Sequence, residues 1–305
     1  MQEIIGLITF GQFLFRFFFS SFAFTSLIFL CYRHSKLNEE IISVPLCINI
    51  ITWITTAFFD LLYITSSFLS RTYPKVPSDL IFWSGSLYFA TTTAVSMSVF
   101  FLMLDRITIL LSRSNIGLDT RRHLSIANAA LVLAQFFVFI TIFVVFERPN
   151  STDTECETFS CVATQHASTL NLTRAVYGSV NTIMAIVFAF LIFRYNKRRG
   201  SMSQNLSRQT EYSETNGTTA VRNRVNKEKL EGNFVAGIAV GCQIFFNFLP
   251  NLGAYTAVRY FQMPISDFGG PVVSTFSQLD ALTNTVILLK VVGSRVWSSK
   301  ITESR

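Results

Sequence analysis

Apolar residues along this chain come in long blocks separated by shorter polar gaps. Seven blocks stand out, at about 4–32, 41–69, 80–111, 124–146, 174–195, 232–260 and 271–292. A run of roughly 18 or more apolar residues with few charges fits a membrane-spanning helix. The pattern predicts an all-α membrane protein, a seven-transmembrane helix bundle that forms a single domain over 1–305. Two long gaps remain: an outer loop at 147–173, and a polar, basic loop at 196–231 without apolar periodicity. No 20–50-residue repeat relates the two halves, and the prolines do not fall at matching points of two three-helix units.

Composition strengthens this picture. The chain is 50% hydrophobic and 14% charged, whereas soluble domains carry about a quarter charged residues. Its 32 Phe exceed the need of one globular core and are expected mainly on lipid-facing and interhelical surfaces. The first apolar run starts at Ile4 after Glu3, with no basic segment before it and no small-residue cleavage site after it. No cleavable signal peptide is therefore expected.

Charge sets the expected orientation. With the N-terminus outside, segments 33–40, 112–123, 194–231 and 290–305 are cytoplasmic and hold 18 Lys and Arg. The outer segments hold only Arg71, Lys75, Arg148, Arg174 and Arg259. Basic loops stay on the cytoplasmic side, so the N-terminus is expected outside and the C-terminus inside. The net charge of +7 reflects this asymmetry and calls for no nucleic-acid partner. The outer loop then faces an oxidising compartment. It carries Cys156 and Cys161, as either a disulfide-closed ring or two free thiols, and N-glycosylation sequons at Asn150 and Asn171. Sequons at Asn205 and Asn216 fall in the inner loop, so these motifs only corroborate the orientation. Cys31, Cys47 and Cys242 lie in or at the ends of apolar helices and are expected to pack as small hydrophobes.

A few charged residues interrupt the apolar blocks. Asp105 and Arg106 stand side by side in SVFFLMLDRITILL. From Leu80 to Asp105 is 25 helical steps, roughly 38 Å against a hydrocarbon core of roughly 30 Å. The pair therefore belongs at the cytoplasmic rim of a long third helix. It is either a snorkelling anchor or a functional switch. Asp60 and Asp280 fall well inside helices two and seven, where a carboxylate is costly and faces the bundle interior. They are read either as packing residues held by Ser, Thr or Asn, or as the border of one outward-opening ligand cavity. Arg16 either snorkels outward or pairs with an acid such as Asp280. Pro250, beside Asn247 and Asn251, is expected to kink helix six, as a static bend or as a hinge. Gly237 and Gly241 have the small-xxx-small spacing that lets another helix approach. Trp83, Tyr88, Asn247, Tyr255, Asp280 and Asp60 complete the set of ligand-binding candidates.

Catalysis has little support. His34, His123 and His166 lie in loops or at helix ends, and no H-E-x-x-H, Walker A or dinucleotide motif is present. Neither enzymatic activity nor a cofactor or metal is expected. A retinal pigment needs a lysine near the middle of helix seven, but Lys290 lies 19 residues beyond Pro271, about 28 Å along the helix. A small seven-helix transporter is the alternative. Transporters usually show repeats with paired broken helices, and none is visible.

An Asp-Arg pair at the inner end of the third of seven helices resembles G-protein-coupled receptors. In that family the Arg is locked by local ion pairing when inactive and faces the G protein when active. Ile107 departs from the usual aromatic, helix seven lacks Asn-Pro-x-x-Tyr, helix one has no central Asn, and helix three has no outer Cys. The Phe-rich texture is more similar to the nematode serpentine chemoreceptors, most like the Srbc class. Phe59-Asp60-Leu61-Leu62-Tyr63, Asp105-Arg106 and Gln278-Leu279-Asp280-Ala281-Leu282 carry that resemblance. It implies a receptor in the plasma membrane, at a sensory-neuron cilium, that binds an odorant or pheromone-like small molecule from outside. Its implied partners are that ligand, the lipid bilayer and a heterotrimeric G protein contacting the basic loop, with a receptor dimer as a further option.

Overall fold

The computed structural model describes residues 2–36, 43–73, 78–111, 118–146, 159, 167–206, 237–261 and 275–290. Apart from single residues at helix ends, every described residue is helical, and no strand occurs among them. The helices are α1 (Gln2–Lys36), α2 (Val44–Thr72), α3 (Ser78–Leu111), α4 (Leu118–Phe146) and α5 (Ala167–Leu206). Two more, α6 and α7, occupy 237–261 and 275–290. Six, α1 to α6, are long and apolar enough to cross a membrane.

Local chemistry explains the ends of α2. Proline sits in its first turn, where an N–H has no partner to lose. The far end stops at Tyr73, in an extended conformation with φ −127 and ψ 98. Pro74 follows, and a residue before proline is pushed out of the α region. Within the apolar helices, hydroxyls are hidden by bonding back one turn. Thr56 donates to the Thr52 carbonyl and Ser84 to the Leu80 carbonyl, at 2.8 and 2.7 Å.

The first three helices run antiparallel, each to the next. Phe10 meets Phe68 while Phe24 meets Phe58, and Arg106 meets Ser43 while Tyr88 meets Tyr63. The central element is α3, which packs against α2, α4 and α5 and is buried along most of its length. Its small buried side chains, Ser86, Ala90, Thr93, Ala94 and Ser98, allow that close packing. The core has two apolar layers. One, at the Arg106 end, joins Leu27, Ile50, Trp53, Leu102, Phe188 and Leu288. The other, at the opposite end, is aromatic, with Tyr63, Phe82, Tyr88, Phe139, Phe143 and Phe159. Many remaining aromatics, including Phe18, Phe137, Phe190 and Phe245, point outward, as a lipid-facing surface requires.

Several expected boundaries change. Helix five runs from Ala167 to Leu206, beyond the expected 174–195 at both ends. Its last turns, NKRRGSMSQNL, are polar; a helix satisfies its own backbone hydrogen bonds and continues past the apolar block. Helix six contains a π-helical turn over Gln243–Phe248, in which the Leu249 N–H bonds to the Ile244 carbonyl. Pro250 has no N–H for the carbonyl four residues back, and the wider turn sits immediately before it. At Gly237 and Gly241 nothing lies within 4 Å of a Cβ among the described residues. The close approaches occur instead at Gly178, where a Cβ would stand 2.7 Å from Phe248, and at Gly85, against Phe159.

Candidate functional site

Three groups of polar side chains inside the bundle contain its charged residues among those described. The first is built on an i, i+4 pair: Arg16 and Ser20 share one face of α1. Both meet Asp60 of α2, which is fully buried. The Arg16 Nη2 donates to Asp60 Oδ1 at 2.6 Å. The other oxygen, Oδ2, accepts from Gln278 Nε2 of α7 at 2.6 Å and contacts the Ser20 hydroxyl. Ser20 also stands 2.8 Å from Gln278 Oε1, so its single proton serves either acceptor. The Arg16 guanidinium lies 5.5 Å from the Tyr63 ring centre and 5.7 Å from that of Tyr88, within cation–π range. Opposite charge, hydrogen bonds and aromatic faces together hold two ions in an apolar interior.

The second group surrounds Asp280, also fully buried. Asn284 donates to its Oδ1 at 2.6 Å, and Asn247 donates to its Oδ2. Asn251 Nδ2 donates to the Asn247 carbonyl at 2.7 Å. Asn247 belongs to the π-helical turn, so the irregular backbone of α6 presents its amide to α7. Gln278 and Asp280 are two residues apart on α7, which brings the two groups onto one element.

The third group lies at the far end of α3. Asp105 is 1% exposed and Arg106 9%, so neither snorkels to the surface. Arg106 Nε is 3.7 Å from Asp105 Oδ2, and its Nη2 donates to the Ser43 hydroxyl at 3.0 Å. Ser43 is the N-cap of α2, yet its side chain makes no capping bond there. Its hydroxyl instead ties the start of α2 to the end of α3.

The other expected site residues are dispersed. Tyr88 is buried and stacked on Tyr63 at 5.8 Å. Trp83 is 38% exposed and packs edge-on against Phe82. Five helical residues turn through about 500°, which puts Trp83 and Tyr88 on different faces. Tyr255 is partly buried, eight residues beyond Asn247. Asp60 and Asp280 are both buried, and both carboxylates hydrogen-bond to neighbouring side chains. Arg16 pairs with Asp60 rather than Asp280 or an outer surface. Asn150, Cys156 and Cys161 lie outside the described residues. Asn171 has a helical backbone in the first turns of α5, and its side chain is outside what is described.

Ser20, Gln278, Asn284, Ser43 and Phe159 carry interactions that sequence reasoning missed. For Ser20 and Asn284 a signal existed, since each stands four residues from a buried charge on the same helix. Gln278 was visible only as the neighbour of Asp280, and Ser43 and Phe159 gave no signal. Comparison of the chain with protein-family models and with curated proteins finds no match.

Proposed function

We propose that this chain is a seven-helix chemosensory receptor, with its N-terminus outside and its C-terminus cytoplasmic, that binds a small extracellular molecule and activates a heterotrimeric G protein at the plasma membrane of a sensory cilium. One observation carries the reading: Arg106, at the end of the central α3, is held in place by Ser43 and Asp105. On this reading Arg106 has two arrangements, bound inward to Ser43 beside Asp105 or turned toward a partner. A hydrogen bond to a charged group contributes about 1.5–3 kcal/mol, enough to set which arrangement dominates and small enough for a ligand to overcome.

The rest of the bundle supports coupling between its ends. From Ser43 to Asp60 is 17 residues along α2, about 26 Å. The same helix therefore bears on Arg106 at one end and on the Arg16–Asp60–Gln278 cluster toward the other. A ligand that repositions α2 or α7 at the outer cluster shifts the α2–α3 tether at the inner rim.

The test is agonist-driven output normalised to surface receptor number. A ligand panel with cyclic-nucleotide and calcium readouts first identifies an agonist. Arg106→Ala is expected to remove signalling while surface expression persists. If normalised output stays at the wild-type level, Arg106 is a structural anchor and the receptor reading loses its support.

A further inference from the structure

Three cysteines are free among the described residues, and their surroundings differ: Cys242 is buried, Cys47 half-buried and Cys31 exposed. Cys31 lies near the end of α1 and Cys47 in the first turn of α2. These helices are antiparallel, so contacts along their interface fix where the two cysteines stand. Phe10 meets Phe68. Equal steps of 21 residues from that contact, forward along α1 and back along α2, lead to Cys31 and Cys47. Every residue of a helix rises by the same amount, so equal steps bring both to one level. A second contact, Phe24 with Phe58, fixes the face. Cys31 stands seven residues after Phe24 and Cys47 eleven before Phe58, close to two and three whole turns. Both cysteines therefore return to the boundary between α1 and α2, and their thiols are near enough to interact electrostatically.

A pair of thiols suits few occupants. Zinc takes four ligands in closed protein sites, and among the described residues no group of three or more His, Cys, Asp and Glu side chains comes together. Calcium and magnesium take oxygen ligands. Monovalent copper is soft, favours thiolates and is satisfied by two sulfurs. The orientation proposed above puts this end of α1 and α2 on the reducing cytoplasmic side, where thiols stay free.

We propose that Cys31 and Cys47 form a two-sulfur site for a monovalent copper ion, bridging α1 and α2 at the inner rim. Each thiol gives up its proton, and two copper–sulfur bonds form with no change of oxidation state. The complex carries one net negative charge, and the basic Arg33 and Lys36 follow Cys31 in the same helix. The Cys47 N–H bonds to the Ser43 carbonyl at 3.0 Å. Bound copper thus pins α1 to the turn of α2 that starts at Ser43, whose hydroxyl accepts from Arg106.

The experiment titrates monovalent copper, against bicinchoninate as competitor and under ascorbate, into the full chain in lipid nanodiscs with Cys156→Ser and Cys161→Ser in place. One ion per chain is expected, with two sulfurs around it in the copper-edge X-ray absorption spectrum. Cys31→Ser and Cys47→Ser are each expected to abolish uptake, and Cys242→Ser to preserve it. Cys47→Ser combined with Ile48→Cys keeps the number of thiols and their depth but turns one by about 100°. That variant is expected to lose the ion, which separates a built pair from any two membrane thiols. If the background without Cys156 and Cys161 does not fold, a difference of one ion between the unaltered chain and Cys31→Ser replaces it. No saturable uptake, or uptake retained in either single serine variant or in the relocated one, overturns the proposal. These readouts need no signalling, so they fail or succeed separately from the Arg106 test.

Discussion

Arg16 and Asp60 are 44 residues apart in sequence and meet at 2.6 Å inside the bundle, where the guanidinium also faces the rings of Tyr63 and Tyr88. Each ion is tolerable there because the other is present. The pair joins α1 to α2, and Gln278 extends the connection to α7. Three helices thus depend on one carboxylate.

Removing either partner alone leaves a buried charge without its counterion. Arg16→Met and Asp60→Leu are each expected to destabilise the protein by about 3–5 kcal/mol, whereas the double variant recovers most of that loss. A double-mutant cycle on thermal unfolding in detergent measures the coupling. Additive losses in the double variant would show that the two residues act independently.

Glycines on α5 and α6 separate by what stands next to them. Gly178→Ala forces a Cβ to within 2.7 Å of Phe248 and is expected to cost about 1–3 kcal/mol. Gly241→Ala meets nothing within 4 Å among the described residues and is expected to be neutral or to stabilise α6 by up to about 1 kcal/mol. The order of the two melting temperatures is the check. A lower value for the Gly241 variant contradicts the packing described.

Ser43→Ala removes the acceptor for Arg106 Nη2 without touching either charge. Loss of about 1.4 kcal/mol from the restrained arrangement raises its alternative about tenfold. If the chain signals as proposed, basal output per surface copy is expected to rise, and Ser43→Thr, which keeps a hydroxyl, is expected to stay near wild type. A basal level unchanged in Ser43→Ala removes the tether from the mechanism.

Orientation rests on the 18 basic residues assigned to the cytoplasmic segments. A tag after Met1 is expected to bind antibody on intact cells, and a tag after Arg305 only after permeabilisation. The reverse pattern inverts every inner and outer assignment.

Much of the architecture was legible from the chain because hydropathy is a local property. Each helix satisfies its own backbone hydrogen bonds, so an apolar block long enough to cross a bilayer announces itself without reference to the others. The six long apolar helices, the outward-facing phenylalanines and the burial of Asp60 and Asp280 follow from that rule. Helix ends followed less well: the last turns of α5 are polar, and hydropathy reports where lipid ends, not where the helix does.

Partners were decided only by the tertiary structure. Whether Arg16 reaches Asp60, Asp280 or the surface depends on the relative depth of two helices and on their rotation, and one residue turns a side chain through about 100°. The same holds for glycines. Gly237 and Gly241 had the spacing for close packing, yet no described residue lies within 4 Å of a Cβ at either, whereas Gly85 and Gly178 each receive a phenylalanine ring. The π-helical turn before Pro250 belongs here too: the proline signals a lost hydrogen bond, but the contact between Asn247 and Asp280 depends on how α6 sits against α7. Apolar length is written along one helix; contact is a property of two.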